Sequence, residues 1–103
     1  MALTKTKSVS LGRPIHIYEG TVDLASVAAA TAAMAEVDLT CTGVVATDIA
    51  IGFYCTDTGF SLGVGNVRVK EANTISVVFV NTDDAAVDEA GTLNYRFICI
   101  SGV

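Results

Sequence analysis

The sequence predicts an all-β domain: an antiparallel β-sandwich or flattened barrel of six to eight short strands, with an extended N-terminal arm. Three observations lead there. In Glu71–Asn81, EANTISVVFVN, Ile75, Val77 and Phe79 alternate with Ser76, Val78 and Val80, the pattern of a strand buried on one face or on both. Other short runs of β-branched and aromatic residues are punctuated by glycine-, asparagine- and aspartate-bearing turns, the spacing of stacked or closed sheets. Long amphipathic helical stripes are missing from the pattern.

Taken in order, residues 1–14 form the arm and residues 15–103 the body. Pro14, the single proline, cannot donate to a ladder and pushes Arg13 toward an extended conformation, so it marks the end of the arm. Ile15-His16-Ile17-Tyr18 reads as a strand with both isoleucines inward, and its expected partner is Thr21–Leu24, across Glu19-Gly20. Ala25–Glu36 reads as a small-residue connection with strand-like ends. A short helix is the alternative, because alanine has the best helix propensity and Val27 and Met34 lie seven apart.

Val37, Leu39 and Cys41 then alternate with Glu36, Asp38 and Thr40 in a half-exposed strand that Thr42-Gly43 ends. Ile49–Cys55 is the next strand, with Ile49, Ile51 and Phe53 expected on one face; Gly52 within it signals a bulge or a close backbone approach. Phe60 and Leu62 anchor the connection from Thr56 to Gly65, and Val67 and Val69 flank Arg68 in a short strand. Ala72-Asn73-Thr74 is a turn into the Ile75–Val80 strand. Residues 81–91 form an acidic loop with Val87 as its inward peg. In the closing strand, Thr92–Ser101, Leu93, Tyr95, Phe97 and Cys99 point one way and Asn94, Arg96, Ile98 and Ile100 the other.

Composition narrows the function classes. The chain has 103 residues, of which 51% are apolar and 17% charged, enough for one core and against disorder. So apolar a small domain favours burial against copies of itself or a partner. Lys5, Lys7 and Arg13 put +3 on the first 14 residues, while the remainder carries −8, for a net −5. An acidic body argues against nucleic-acid binding, which needs a basic surface. A basic leader suits an arm lying on an acidic surface, with a frayed, solvated terminus as the alternative. Neither a membrane span nor a signal peptide is expected. Cys41, Cys55 and Cys99 read as free buried thiols of a protein made in a reducing cytoplasm, with one disulfide and a leftover thiol as the alternative.

Reactive centres are not predicted. His16 stands alone without a second histidine or a cysteine pair, and the three thiols lack zinc-site spacing. Asp83, Asp84, Asp88 and Glu89 lack the alternating spacing of calcium loops, and the glycines at 59, 63 and 65 are followed by no helix start that could cradle phosphate. Catalysis, cofactors and metal ions are therefore not expected. The residues suited to partner binding are Lys5, Lys7, Val9, Leu11 and Arg13 on the arm, with His16 and Tyr18 on the strand behind it.

From Val22 to Ile100 the order of motifs resembles a family of small virion proteins of tailed bacteriophages. The matching features are Thr21-Val22-Asp23-Leu24 before an alanine-rich stretch, Gly43-Val44 followed by Asp48 and an apolar strand, and Val67-Arg68-Val69. Ala72-Asn73-Thr74-Ile75 then runs into Phe79-Val80-Asn81, with Val87-Asp88 and Ala90-Gly91-Thr92 before the final strand. Thr47 stands where such proteins often have glycine, and Glu89 where proline is common. The resemblance implies a β-sandwich that coats a capsid as a decoration or cement protein, often as a trimer bound to the major capsid protein. It places the protein on the virion surface after synthesis in the host cytoplasm and brings no catalytic residues. A tail or neck component and a glycan-binding or adhesion module are the competing readings.

Overall fold

Seven strands make up the described structure, a computed structural model that describes residues 2–10, 12–21, 33–57, 62–81 and 94–102. They are β1 (Ala2–Ser10), β2 (Pro14–Thr21), β3 (Ala33–Cys41), β4 (Ile49–Cys55), β5 (Gly63–Glu71), β6 (Thr74–Asn81) and β7 (Asn94–Ile100). Hydrogen bonding joins them in the order β4-β7-β2-β1-β3-β6-β5, and the end strands β4 and β5 come alongside each other. The result is an all-β, nearly closed, barrel-like sheet with principal extents of 45 × 22 × 20 Å. Every pairing is antiparallel except β1 with β3, which is parallel and confined to Ala2↔Thr40 and Leu3↔Cys41. That short join connects a β4-β7-β2-β1 sheet to a β3-β6-β5 sheet.

The Ile75–Val80 run is β6, flanked along its length by β3 and β5. Ile75, Val77 and Phe79 are fully buried, and even Ser76 on the other face is nearly so. Phe79 meets aromatic side chains of the opposite sheet. Its ring lies edge-on to Phe53 at 5.9 Å and to Tyr95 at 6.5 Å, while Phe53 and Tyr95 stack at 5.5 Å. Tyr18 and Phe97 extend this layer at 6.1 Å. Leu39, Cys41, Cys99, Leu3, Val44 and Leu62 fill the remaining interior. Burying each large side chain contributes on the order of 1.5 to 3 kcal/mol before ordering entropy is subtracted.

Several local expectations give way to pairing. The expected arm is extended over residues 2–10 but is a strand of the sheet, antiparallel to β2 from Thr4↔Glu19 to Ser10↔Pro14. No turn interrupts Glu19-Gly20; β2 runs on to Thr21 and pairs with β1 and β7, and the rest of its expected partner, residues 22–24, lies outside the described residues. Gly20 permits a close approach, since a Cβ there would fall 2.7 Å from the Ala2 carbonyl oxygen. Residues 33–36 of the alanine-rich stretch belong to β3. Its earlier part, Phe60, the acidic loop with Val87, Leu11 and Leu93 lie outside the described residues.

Facing also changes in two strands. Tyr18, not Ile15 and Ile17, is the fully buried side chain of β2. In β4 the register slips between Ala50 and Gly52, so Ile51 is the extra residue of a bulge. Ala50 and Phe53 consequently both turn inward, and Ile49 and Ile51 do not accompany Phe53. The glycine in that strand thus does mark a bulge.

Asn73 ties two turns together. Its φ of 64° is in the left-handed region, which asparagine tolerates better than most residues. The Gly43 N–H donates to its Oδ1 at 2.9 Å, the Cys41 N–H donates to its carbonyl at 2.8 Å, and its own N–H donates to the Val44 carbonyl at 2.8 Å. The β5–β6 turn is thereby fastened to the end of β3.

Two substitutions test this arrangement by denaturant unfolding. Phe79→Ala is expected to cost about 3 to 5 kcal/mol, because a cavity opens where both sheets meet. Asn73→Ala should cost about 2 kcal/mol and Asn73→Gly about half that, because glycine keeps the left-handed backbone but loses the bond to Gly43. Equal losses for the two Asn73 variants would show that backbone conformation is not part of the role.

Candidate interaction surface

The two sheets present different outer surfaces to solvent. On β3-β6-β5, Glu36 Oε1 accepts from Arg68 Nη2 at 3.3 Å, and Asp38 Oδ2 accepts from Lys70 Nζ at 2.6 Å. Lys70 holds the Asp38 carboxyl below its usual range, and Asp38 in turn raises Lys70. These exposed pairs straddle Ser76, since Asp38, Ser76 and Arg68 are paired in one row. A surface laced with opposite charges is one that water solvates.

Part of the outer side of β4-β7-β2-β1 is apolar. Because Tyr18, Phe97 and Cys99 point inward, Ile15, Ile17, Ile98 and Ile100 alternate to the outside. Cross-strand pairing sets them in two rows. Val9, Ile15, Ile100 and Ile49 form one, and Lys7, Ile17, Ile98 and Gly52 the other. The four central isoleucines are half-buried, whereas Val9, Ile49 and Ile51 are 46%, 52% and 56% exposed.

A polar row bounds this field at one end. Glu19 faces Arg96, which faces Tyr54. Arg96 donates to Glu19 Oε2 at 3.2 Å and to the Tyr54 hydroxyl at 3.0 Å, and its guanidinium lies 5.8 Å from the Tyr54 ring centroid. Thr6, pushed out by a bulge in β1, donates to Glu19 Oε1 at 2.7 Å. Together the Thr6 and Arg96 bonds pull the Glu19 carboxyl below its ordinary range. Arg13 stands at the opposite end, in the β1–β2 turn, and forms no ion pair with a described residue.

Beside this face runs an open backbone edge. Beyond Leu3, β1 is hydrogen-bonded to β2 alone, so from Thr4 to Ser10 its other edge has no strand partner among the described residues. Such an edge can accept an added strand.

The residues expected to bind partners are thus distributed unevenly. Lys7 and Val9 lie on the apolar face, and Arg13 lies at its end. Lys5, paired with Tyr18, belongs to the other side of β1 but is exposed at the edge. His16 is half-buried opposite Cys99, with Nδ1 2.9 Å from Ser8 Oγ. Tyr18 is a core residue rather than a surface one. Its hydroxyl has no hydrogen-bond partner among the described residues, and burial pushes its pKa up to about 12. The isoleucines that make up most of the face were not among the expected binding residues.

Cys41, Cys55 and Cys99 are free thiols. Burial pushes Cys41 from 9.0 up to about 12 and Cys99 up to about 11. Among the described residues no group of histidine, cysteine and acidic side chains is placed to hold a metal ion. No family model matches this sequence, and neither a curated protein nor a solved structure does.

The thiols give a pH-dependent test. An unfolded cysteine ionises near 9.0, before the buried ones do, so the folded state holds more protons above that pH and its stability falls as pH rises. The thiol contribution to the thermal midpoint should be level below about pH 9 and decline toward pH 11. At pH 8 a thiol reagent should modify half-buried Cys55 first, with Cys41 and Cys99 reacting only on unfolding. Equal labelling of all three in the native protein would contradict their burial.

Proposed function

We propose that this chain is a structural assembly protein that decorates and stabilises the capsid of a tailed bacteriophage, binding the shell as a homo-oligomer. The observation that carries the assembly reading is the isoleucine field on one sheet beside an ion-paired surface on the other. A soluble β-domain that only needed to remain folded would bear polar side chains where Ile15, Ile17, Ile98 and Ile100 stand, as it does at Glu36, Asp38, Arg68 and Lys70 outside β3 and β5. Exposed apolar fields of this kind mark surfaces that become covered. The virion reading rests on the order of motifs from Val22 to Ile100.

Cementing a shell requires a stiff body and contacts that are lost if the shell expands. The aromatic layer gives stiffness, and the β1–β2 hairpin gives a reach of basic residues. Lys5, Lys7 and Arg13 on that hairpin suit an acidic surface of the major capsid protein, and the open edge of β1 suits strand addition. These contacts would act alongside an apolar face that joins subunits.

Quantitative mass spectrometry of purified particles tests the reading. A copy number in the hundreds is the expected result; a few to a few dozen would assign the chain to the tail or neck instead, and absence from particles would remove the virion reading. Lys5→Glu combined with Lys7→Glu should lower occupancy on the shell at least tenfold while leaving the melting curve of the isolated protein unchanged.

A further inference from the structure

The edge of β1 is open, basic and patterned. All of Thr4 to Ser10 is exposed. Among the described residues, the backbone bonds of the neighbouring 42–48 turn run to Cys41 and Asn73 or stay within the turn, and none goes to β1. Nor can the internal segments 22–32, 58–61 and 82–93 pair with the edge at its Val9 end. Thr21 and Asn94 are paired with each other level with Ala2, and Asp57 bonds to Asn94. Ala33 and Asn81 are paired seven residues farther down β3, with Gly63 opposite Val80 beside them. Val9 lies seven residues the other way, roughly 23 Å from the Ala2 level. A segment pairing there would have to travel roughly 70 Å between its anchors, and the longest, of twelve residues, spans at most about 43 Å.

Charge disfavours a second copy on this edge. Lys5 and Lys7 form no ion pair with a described residue. Glu19, whose carboxylate Lys7 also attracts, has its two oxygens bonded to Thr6 and Arg96. Antiparallel pairing of the whole edge with its own copy would set Lys7 against Lys7, and in-register parallel pairing would set both lysines against themselves. Like charges directly opposite destabilise a sheet, and edge lysines guard against such contacts. The same lysines attract a strand that carries carboxylates.

We propose that the Thr4 to Ser10 edge takes up an extended acidic segment of a different protein as an added strand, with carboxylates beside Lys5 and Lys7 and an apolar side chain beside Val9. The inference rests on the strand-addition part of the reading above and names the chemistry that the edge selects. Lys7 and Val9 point outward with Ile17 and Ile15. The incoming residue beside Val9 therefore extends the row of Val9, Ile15, Ile100 and Ile49, and the one beside Lys7 closes an ion pair on the same side. The bulge at Thr6 puts Lys5 on the other side of β1, opposite Tyr18. Carboxylates are thus called for on both sides of the incoming strand, at one end only. The segment that fits has an apolar residue and, beginning two positions from it, a short acidic run.

Titration of the isotope-labelled full chain with the peptide acetyl-Thr-Val-Thr-Glu-Glu-Glu-Thr-amide, followed by amide chemical shifts and hydrogen exchange, tests the proposal. Saturable binding is expected within about 1 mM peptide at about 0.15 M salt, with shifts centred on β1 and slower exchange of its edge amides. Replacing the three glutamates by lysine should weaken binding at least tenfold. Lys7→Glu in the protein should do the same for the acidic peptide and turn the preference toward the lysine peptide, while Lys70→Glu on the other sheet changes neither. Of two acidic peptides N-methylated at alternate residues, one should lose binding, because only one set of amides faces β1.

Binding retained by both N-methylated peptides would reduce the contact to charge attraction and overturn strand addition. Equal affinity for the lysine peptide, shifts centred away from β1, or no binding up to about 1 mM would overturn it as well. Slower exchange of the same amides with rising protein concentration alone would assign the edge to a second copy. These outcomes are separable from the shell reading: a chain counted in the hundreds on particles can lack this peptide binding, and a chain that binds the peptide can be absent from particles.

Discussion

Neighbouring side chains on a strand cannot share a face, and in the β2–β7 pair this sets Tyr18, Phe97 and Cys99 against Ile15, Ile17, Ile98 and Ile100. Only one of the two sets can fill the interior. The aromatic residues bury more surface per side chain and find ring partners in Phe53 and Phe79 across the barrel. Once they are inside, the four isoleucines are on the outer side, where they remain half-buried. The bulge at Ile51 adds to this by bringing Phe53 into the aromatic layer and leaving Ile49 and Ile51 on the surface.

Much of the fold was legible because the decisive strands have strong period-two patterns. Ile75–Phe79 and Tyr95–Cys99 face as their alternation says, and the Ala72-Asn73 turn and the Gly52 bulge are where their chemistry places them. Ile15-His16-Ile17-Tyr18 misled because two isoleucines outweigh one tyrosine in a tally of apolar residues, although the tyrosine is the one that packs. The signal that could have corrected it lay in the closing strand. With Ile98 and Ile100 already outside in that strand, any neighbour pairing in register would add its own isoleucines to the same surface. Local patterns, however, do not say which strands are neighbours; β2 meets β7 across more than 70 residues of chain.

The N-terminal segment shows the same limit. Its alternation marks an extended stretch, but that stretch ends at Ser10 and Pro14 opens the next strand, and pairing with β2 and the two-residue join to β3 are long-range facts. They turn an arm into the strand that connects two sheets. Because that join is so short, β1 has no strand partner on that edge beyond Leu3 among the described residues. Packing of side chains on the face and strand addition at the backbone edge then use different atoms of β1. Among the described residues, two of the three ion pairs lie on the solvated sheet, the third, Arg96–Glu19, bounds the apolar field, and cations lie along the open hairpin.

The exposure of the isoleucine methyl groups tests the inside-out division most directly. With isoleucine δ1 methyls labelled, a soluble paramagnetic agent should broaden Ile49 and Ile51 strongly and Ile15, Ile17, Ile98 and Ile100 measurably in dilute protein, while sparing Ile75. All six surface signals should become shielded together as concentration rises. Shielding of Ile15, Ile17, Ile98 and Ile100 to the level of Ile75 at every dilution would contradict an apolar face that lies open in the single subunit.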